Sequence, residues 1–101
     1  MTKIEYKIGK DECILRVKGH AGYAEKGKDI VCAGISALCT ALYKAVMASN
    51  SMIQCMTADG ELDIRATDHG GDVRTMYSMA VLGFNEIAAE FPDFVKVERI
   101  F

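Results

Sequence analysis

Two residues in the stretch GHAGYAEKGKDIVC, at positions 19–32, have side chains suited to nucleophilic catalysis. Cys32 becomes a nucleophile when its thiol loses a proton, and His20, one of two histidines in the chain, can accept that proton. The loop between them contains Gly22 and Gly27, so His20 can fold back over Cys32. The spacing predicts a Cys–His pair that attacks an acyl carbon and then protonates the leaving group.

The residues around Cys32 predict the start of a helix. Asp29 stands where an N-cap belongs, which makes Cys32 the third helical residue, and free N–H groups favour negative charge there. Ser36 lies one turn later on the same face and could orient His20 or hold a substrate. Its hydroxyl could equally bond back to a helix carbonyl. Gly22 and Tyr23 are the predicted substrate-binding residues of the loop, and Tyr23 offers an aromatic surface to a substrate side chain.

A cysteine on an apolar helix is more often a small core residue than a nucleophile, and this alternative applies to Cys32. The other three cysteines are predicted as follows. Cys13 and Cys55 fall in strand patterns and are expected in the core. Cys39 shares a helix face with Cys32 but lies about 10 Å away by helical rise, too far for a disulfide. The second histidine, His69, is a competing base. No CxxC pair or zinc-finger spacing occurs, so neither a metal nor another cofactor is expected.

The composition predicts one globular domain over residues 1–101. Half of the residues are hydrophobic and 26% are charged, which is typical of a folded chain. The net charge of −2 argues against direct binding of nucleic acid, which requires a basic patch. No basic segment followed by an apolar stretch opens the chain, so we expect reduced cysteines and a cytoplasmic location.

Apolar residues recur at strand and helix periods and predict an α+β domain in the order ββαββαβ, with an antiparallel sheet and two helices. The turn signals are Gly9-Lys10-Asp11 and Asp59-Gly60, and Pro92 ends the second helix. The predicted elements are a hairpin over 2–19, a helix from Ile30 to about Ser49, a hairpin over 51–58 and 61–67, a helix capped by Asp72, and a strand around Val95 and Val97.

The first helix is nearly free of charge, and Lys44 is the one charged residue between Asp29 and Asp59. It is long enough to resemble a membrane span, but its small residues and missing positive flank favour a helix buried in a soluble domain. The predicted core stripe is Val31, Ile35, Leu38, Leu42 and Val46. A second stripe of small residues, Ala33, Ala37, Ala41 and Ala45, predicts tight internal packing, a dimer contact, or both.

The residues around the pair also carry a family resemblance. Gly19-His20-Ala21-Gly22-Tyr23-Ala24, Gly27, Asp29-Ile30-Val31-Cys32-Ala33 and Ser36 closely resemble the signature of the ribosomal-processing cysteine proteases, the Prp family. The resemblance implies that His20 and Cys32 form a catalytic dyad supported by Gly19, Asp29 and Ser36. It assigns no role to the other cysteines.

The same resemblance implies a bacterial, homodimeric endopeptidase. Its substrate would be the precursor of large-subunit ribosomal protein number twenty-seven, and its reaction the removal of a short N-terminal extension needed for ribosome assembly. The alternative is a non-catalytic ribosome-associated binding module, in which Cys32 and His20 are merely packed. Faster alkylation of Cys32 than of the other thiols would distinguish the protease from the binding module.

Overall fold

The predicted element order is confirmed in the computed structural model, which describes residues 1–25, 27–49, 51–68 and 70–100. Two hairpins and a final strand form the sheet, and each hairpin is followed by one long helix. The elements are β1 Thr2–Ile8, β2 Glu12–Lys18, α1 Ile30–Ala48, β3 Ile53–Ala58, β4 Glu61–Thr67, α2 Asp72–Glu90 and β5 Val95–Arg99.

The five strands form one sheet in the order β3-β4-β2-β1-β5. Both hairpins and the β2–β4 pair are antiparallel, but β5 pairs with β1 in parallel. The predicted antiparallel sheet is therefore a mixed sheet. The chain direction explains the difference: β4 runs the same way as β1, and α2 carries the chain back across the sheet before β5 begins.

Both helices pack on one face of the sheet, and the other face is charged. Ile4 and Leu15 are examples of the fully buried helix-side residues. The opposite face carries ion pairs between neighbouring strands, such as Lys18 with Glu5. This alternation follows from the two-residue period of strand side chains and explains the half-exposed pattern of the sequence.

The two helices approach each other through glycine. A Cβ atom on Gly83 would lie 2.8 Å from Cδ1 of Leu38, so that position has no room for a side chain unless Leu38 moves. A Cβ on Gly34 would lie 3.2 Å from Cδ1 of Ile87. Close helix packing was predicted, but the residues that provide it are glycines rather than the alanine stripe.

The alanine stripe lies mostly on the surface. Ala33, Ala37 and Ala41 are exposed, and Ala45 is partly buried. The predicted internal packing is therefore wrong for Ala33, Ala37 and Ala41. The buried stripe of α1 also differs by one residue, because Cys39 takes the place predicted for Leu38.

Two further features of the helices bear on the predictions. By length and composition α1 could cross a membrane. Five of its 19 residues are buried, so the helix is buried along one stripe rather than on several sides. The N-cap of α2 is Gly71 with a φ of 89°, so the predicted cap, Asp72, is the first helical residue instead. The buried carboxylate of Asp68 accepts from Gly71 N–H at 2.8 Å and anchors this turn.

Candidate active site

Asp29 ties the loop before α1 to the first turn of the helix. Its backbone is extended, with φ −84° and ψ 99°, and its Oδ1 accepts from the N–H of Cys32 at 2.9 Å. Its Oδ2 accepts from the N–H of Tyr23 at 3.1 Å and from that of Ala24 at 3.4 Å. The predicted N-cap is confirmed, and the same carboxylate fixes the loop relative to Cys32.

The electrostatics of Asp29 follow from these contacts. The N–H of Cys32 is the main cause that lowers the pKa of the Asp29 carboxyl below its ordinary value, and the N–H groups of Ala24 and Tyr23 act in the same direction. Both oxygens thus face backbone donors of the loop and helix. In the described part of the chain no hydrogen bond joins Asp29 to His20.

His20 follows the end of β2 and rests against the turn of the second hairpin. The N–H of Gly19 donates to the carbonyl oxygen of Gly60 at 2.8 Å. His20 Nε2 lies 3.5 Å from the position that a Cβ atom on Gly60 would occupy. The imidazole is exposed, and the β3–β4 turn supports it from one side.

Gly19 has a steric role in this arrangement. Its φ is 85°, and a Cβ atom there would lie 2.5 Å from the carbonyl oxygen of Met1. Only glycine fits such a position without movement of Met1, the residue just before β1. Gly19 therefore sets the direction in which the chain leaves β2 and presents His20.

A groove of about 680 Å³ joins the two halves of the predicted pair. It runs between the start of α1 and the β3–β4 turn, with Cys32 half-buried on the helix side and His20 on the loop side. Of the predicted site residues it is lined by His20, Gly22, Asp29, Cys32 and Ser36. Among the residues that the structure describes, His20 and Cys32 share this groove without a hydrogen bond between them.

Tyr23 does not line the groove. Its ring packs edge-on against Phe91 and Phe94, with centroid distances of 5.2 Å and 5.3 Å, and it remains 42% exposed. Tyr23 therefore anchors the loop to the end of α2 and the start of β5. Its predicted contact with a substrate side chain stays a prediction.

Asp59 lines the groove and was not predicted as a site residue. The sequence marks Asp59-Gly60 only as a tight turn. Its position beside His20 depends on the pairing of β2 with β4, which aligns Lys18 with Glu61. Local sequence patterns do not show which strands are neighbours. The position of Asp59 in the groove therefore could not be predicted from the sequence.

The other cysteines fall into two classes. Cys13 and Cys39 are buried, and burial raises the pKa of both thiols, that of Cys39 to about 12. Cys55 was expected in the core, but it is exposed on the edge strand β3. The competing base of the sequence analysis, His69, lies outside the described residues.

Comparison with known proteins shows the family of this chain. The family profile described as "Cysteine protease Prp" matches residues 1–96. The chain belongs to this family of cysteine proteases. Family membership removes the alternative of a non-catalytic binding module. A comparison with curated protein sequences gives no match.

Solved structures of other proteins share the fold of this Prp-family chain. One is the ribosomal processing protease Prp from S. aureus with a covalently linked product peptide. It has 22% identity and a TM-score of 0.85, with 98% of this chain and 99% of that chain covered. The same S. aureus protease with a substrate peptide has 20% identity and a TM-score of 0.79, with 98% and 99% covered.

A third structure is SMU.848 from Streptococcus mutans. It has 25% identity and a TM-score of 0.73, with 98% of this chain and 93% of that chain covered. The likeness extends over nearly the whole of each chain. The domain described above is therefore the full fold of these structures rather than a fragment of it.

Proposed function

We propose that this cysteine protease removes the short N-terminal extension of a large-subunit ribosomal protein precursor, number twenty-seven, in the bacterial cytoplasm. The solved relative from S. aureus is described as an essential ribosomal processing protease and was captured with substrate and product peptides. The proposal transfers that class of substrate to this chain through shared family and fold.

Cys32 and His20 are the residues to which we assign the reaction. The Cys32 sulfur attacks the scissile carbonyl carbon while His20 takes the thiol proton, and His20 then gives a proton to the leaving amine. The resulting thioester is hydrolysed by water, with His20 accepting a proton from that water. When the thioester collapses, His20 gives the proton that it took from water to the Cys32 sulfur, which restores the thiol.

The observation that carries this assignment is that His20 and Cys32 line one groove while Asp29 fixes the loop that separates them. A side chain that serves only packing would be buried like Cys39. Cys32 is instead accessible at the start of α1. Substrate binding would form the hydrogen bond between the imidazole and the sulfur, since catalytic hydrogen bonds often tighten only in the complex.

We also propose that the protease is a homodimer. The exposed residues Ile30, Ala37 and Ala41 of α1 lie on the outward side of the helix pair, as do Met79 and Leu82 of α2. We call these five residues the outer helical face. Exposed apolar patches on soluble proteins commonly mark association surfaces, and a second copy would cover this one.

The experiment for the substrate is cleavage of a peptide that spans the N-terminal extension and the first mature residues of the ribosomal protein. Wild type should release two fragments, which mass spectrometry locates on the sequence. Cys32→Ala should release none while retaining its fold by circular dichroism. Cys55→Ala is the matched control, since it removes an exposed thiol outside the groove. Cleavage by Cys32→Ala at the wild-type rate would reject the assignment.

A further inference from the structure

The helix-side face of the sheet is covered unevenly. One row of paired residues crosses it from Ile4 through Val17 and Leu62 to Thr57. Ile4 is 0% exposed, Val17 and Leu62 are half-buried, and Thr57 is exposed. Burial of the helix-side face thus decreases from β1 towards the edge strand β3, where Thr57 is exposed.

The uncovered strip forms a second groove beside α1. We call it the side groove; its floor is Val17 and Leu62, and its walls are Ser36 and Thr40 of α1 and Thr57 of β3. Its volume is about 340 Å³, within the range of ligand pockets. Apolar side chains form the floor, and hydroxyl groups and the Glu61 carboxylate line its sides. This composition suits an apolar side chain carried by a polar backbone.

The side groove adjoins the groove of Cys32 and His20 at Ser36, which lines both. From Cys32 to Thr40 the helix rises about 12 Å, which matches three to four residues of extended peptide. A peptide bound at Cys32 can therefore follow α1 into the side groove without turning. An open, elongated path of this kind fits a chain better than a compact small molecule.

We propose that the side groove is a specificity subsite that takes a large apolar side chain three or four residues from the scissile bond. The inference rests on the proposed function, since it requires a peptide whose scissile bond lies at Cys32. Thr57 is the residue whose size controls entry, because it stands exposed on the open wall. Apolar contacts in such pockets change kcat/KM by about tenfold to a hundredfold.

Thr57→Phe tests the proposal, since an aromatic ring suits an exposed strand position and would fill the groove. The matched control is Met56→Phe, which places the same ring on the opposite, charged face of β3 beside Arg16 and Asp63.

The probes are peptides of the ribosomal extension, at full length and shortened stepwise from either end. Thr57→Phe should lower kcat/KM at least about tenfold on full-length peptide and leave the shortest cleaved peptide unaffected. Equal rates for Thr57→Phe and Met56→Phe, or equal losses on long and short peptides, would overturn the subsite.

Binding to the Cys32→Ala protein separates this inference from the protease assignment. Fluorescence anisotropy should show the full-length peptide binding to Cys32→Ala at least about tenfold more tightly than to the double variant with Thr57→Phe. That result without cleavage by wild type would support the side groove and reject the proposed reaction. Cleavage by wild type with equal binding by both variants would reject the side groove alone. No binding to Cys32→Ala would reject the side groove.

Discussion

At the scale of single residues, the four thiols differ in their access to solvent. Cys32 is half-buried in the groove and Cys55 is exposed on β3, whereas Cys39 is 6% exposed and burial raises its pKa to about 12. A thiol held protonated in the core reacts slowly with electrophiles. The structure thus makes Cys55, rather than the two buried cysteines, the thiol against which Cys32 must be compared.

The first prediction concerns alkylation. Iodoacetamide at neutral pH should label Cys32 first and Cys55 next, with Cys13 and Cys39 protected until the protein unfolds. His20→Ala should slow labelling of Cys32 and leave Cys55 as in wild type, because only Cys32 shares the groove with the imidazole. Peptide mapping by mass spectrometry gives each rate. Labelling of Cys55 before Cys32 would show that Cys32 is an ordinary thiol.

A second prediction concerns Asp29 and pH. The N–H of Cys32 is the main cause of the lowered pKa of Asp29, so the unfolded chain binds this proton more strongly than the folded one. The stability from Asp29 is therefore complete above the unfolded pKa and is lost as the pH falls through the folded pKa. Asp29→Asn cannot titrate, so its deficit in free energy of unfolding relative to wild type should be largest near neutrality and shrink in acid.

Urea unfolding between roughly pH 7 and pH 3 measures that deficit. The control is Asp93→Asn, which removes an exposed carboxylate after α2. A deficit for Asp29→Asn that stays constant over this range would contradict the role of its charge. Asp29 was predicted as a helix cap because capping is a local pattern, whereas its contacts with the loop depend on how residues 23 and 24 fold back.

At the scale of elements, the exit from β2 determines where His20 stands. Gly19→Ala puts a Cβ atom 2.5 Å from Met1 O at a positive φ, so the end of β1 or the loop must shift. The left-handed conformation alone costs about 1 kcal/mol or more for a residue with a side chain. Gly22→Ala is the matched control, since Gly22 also has a positive φ but no atom within 4 Å of the added group.

Thermal unfolding should rank Gly19→Ala below Gly22→Ala in Tm. Peptide cleavage by Gly19→Ala should fall further than its stability explains at a temperature where both variants are folded, because His20 is displaced. Equal Tm values for the two variants would mean that the contact between Gly19 and Met1 O relaxes without cost. The comparison separates backbone strain, which both share, from the steric clash, which only Gly19 has.

The elements themselves could be predicted, but their arrangement could not. Alternating apolar residues and the Asp59-Gly60 turn gave the hairpins, and three- and four-residue spacing gave the helices. The parallel pairing of β5 with β1 and the contact of Gly60 with His20 join residues far apart in sequence. Hydrophobic period reports which face is buried and carries no information on which strands are neighbours, so Asp59 and the side groove were missed.

At the scale of the whole molecule, the outer helical face predicts association. Leu82 is 67% exposed and Met79 is 65% exposed, and a second copy would remove both from water. Sedimentation at micromolar concentration should show a species of twice 11.0 kDa for wild type. Leu82→Glu should shift the population to monomer because a buried unpaired carboxylate is costly.

Asn85→Glu is the control for this charge, since it adds the same group at an exposed position one turn along α2. It should sediment as wild type does. A wild-type protein that sediments only as an 11.0 kDa species would contradict the dimer, and equal dissociation by both variants would place the contact elsewhere.

The central claim is that the Cys32 sulfur forms a thioester with the N-terminal fragment of the substrate. Mixing enzyme with excess extension peptide and quenching in acid within milliseconds to seconds should trap this intermediate for intact-mass spectrometry. We expect a protein heavier by the mass of the released N-terminal fragment less water, with the adduct mapped to Cys32 and absent from Cys32→Ala. An adduct on Cys55, or cleavage by Cys32→Ala at the wild-type rate, would contradict it.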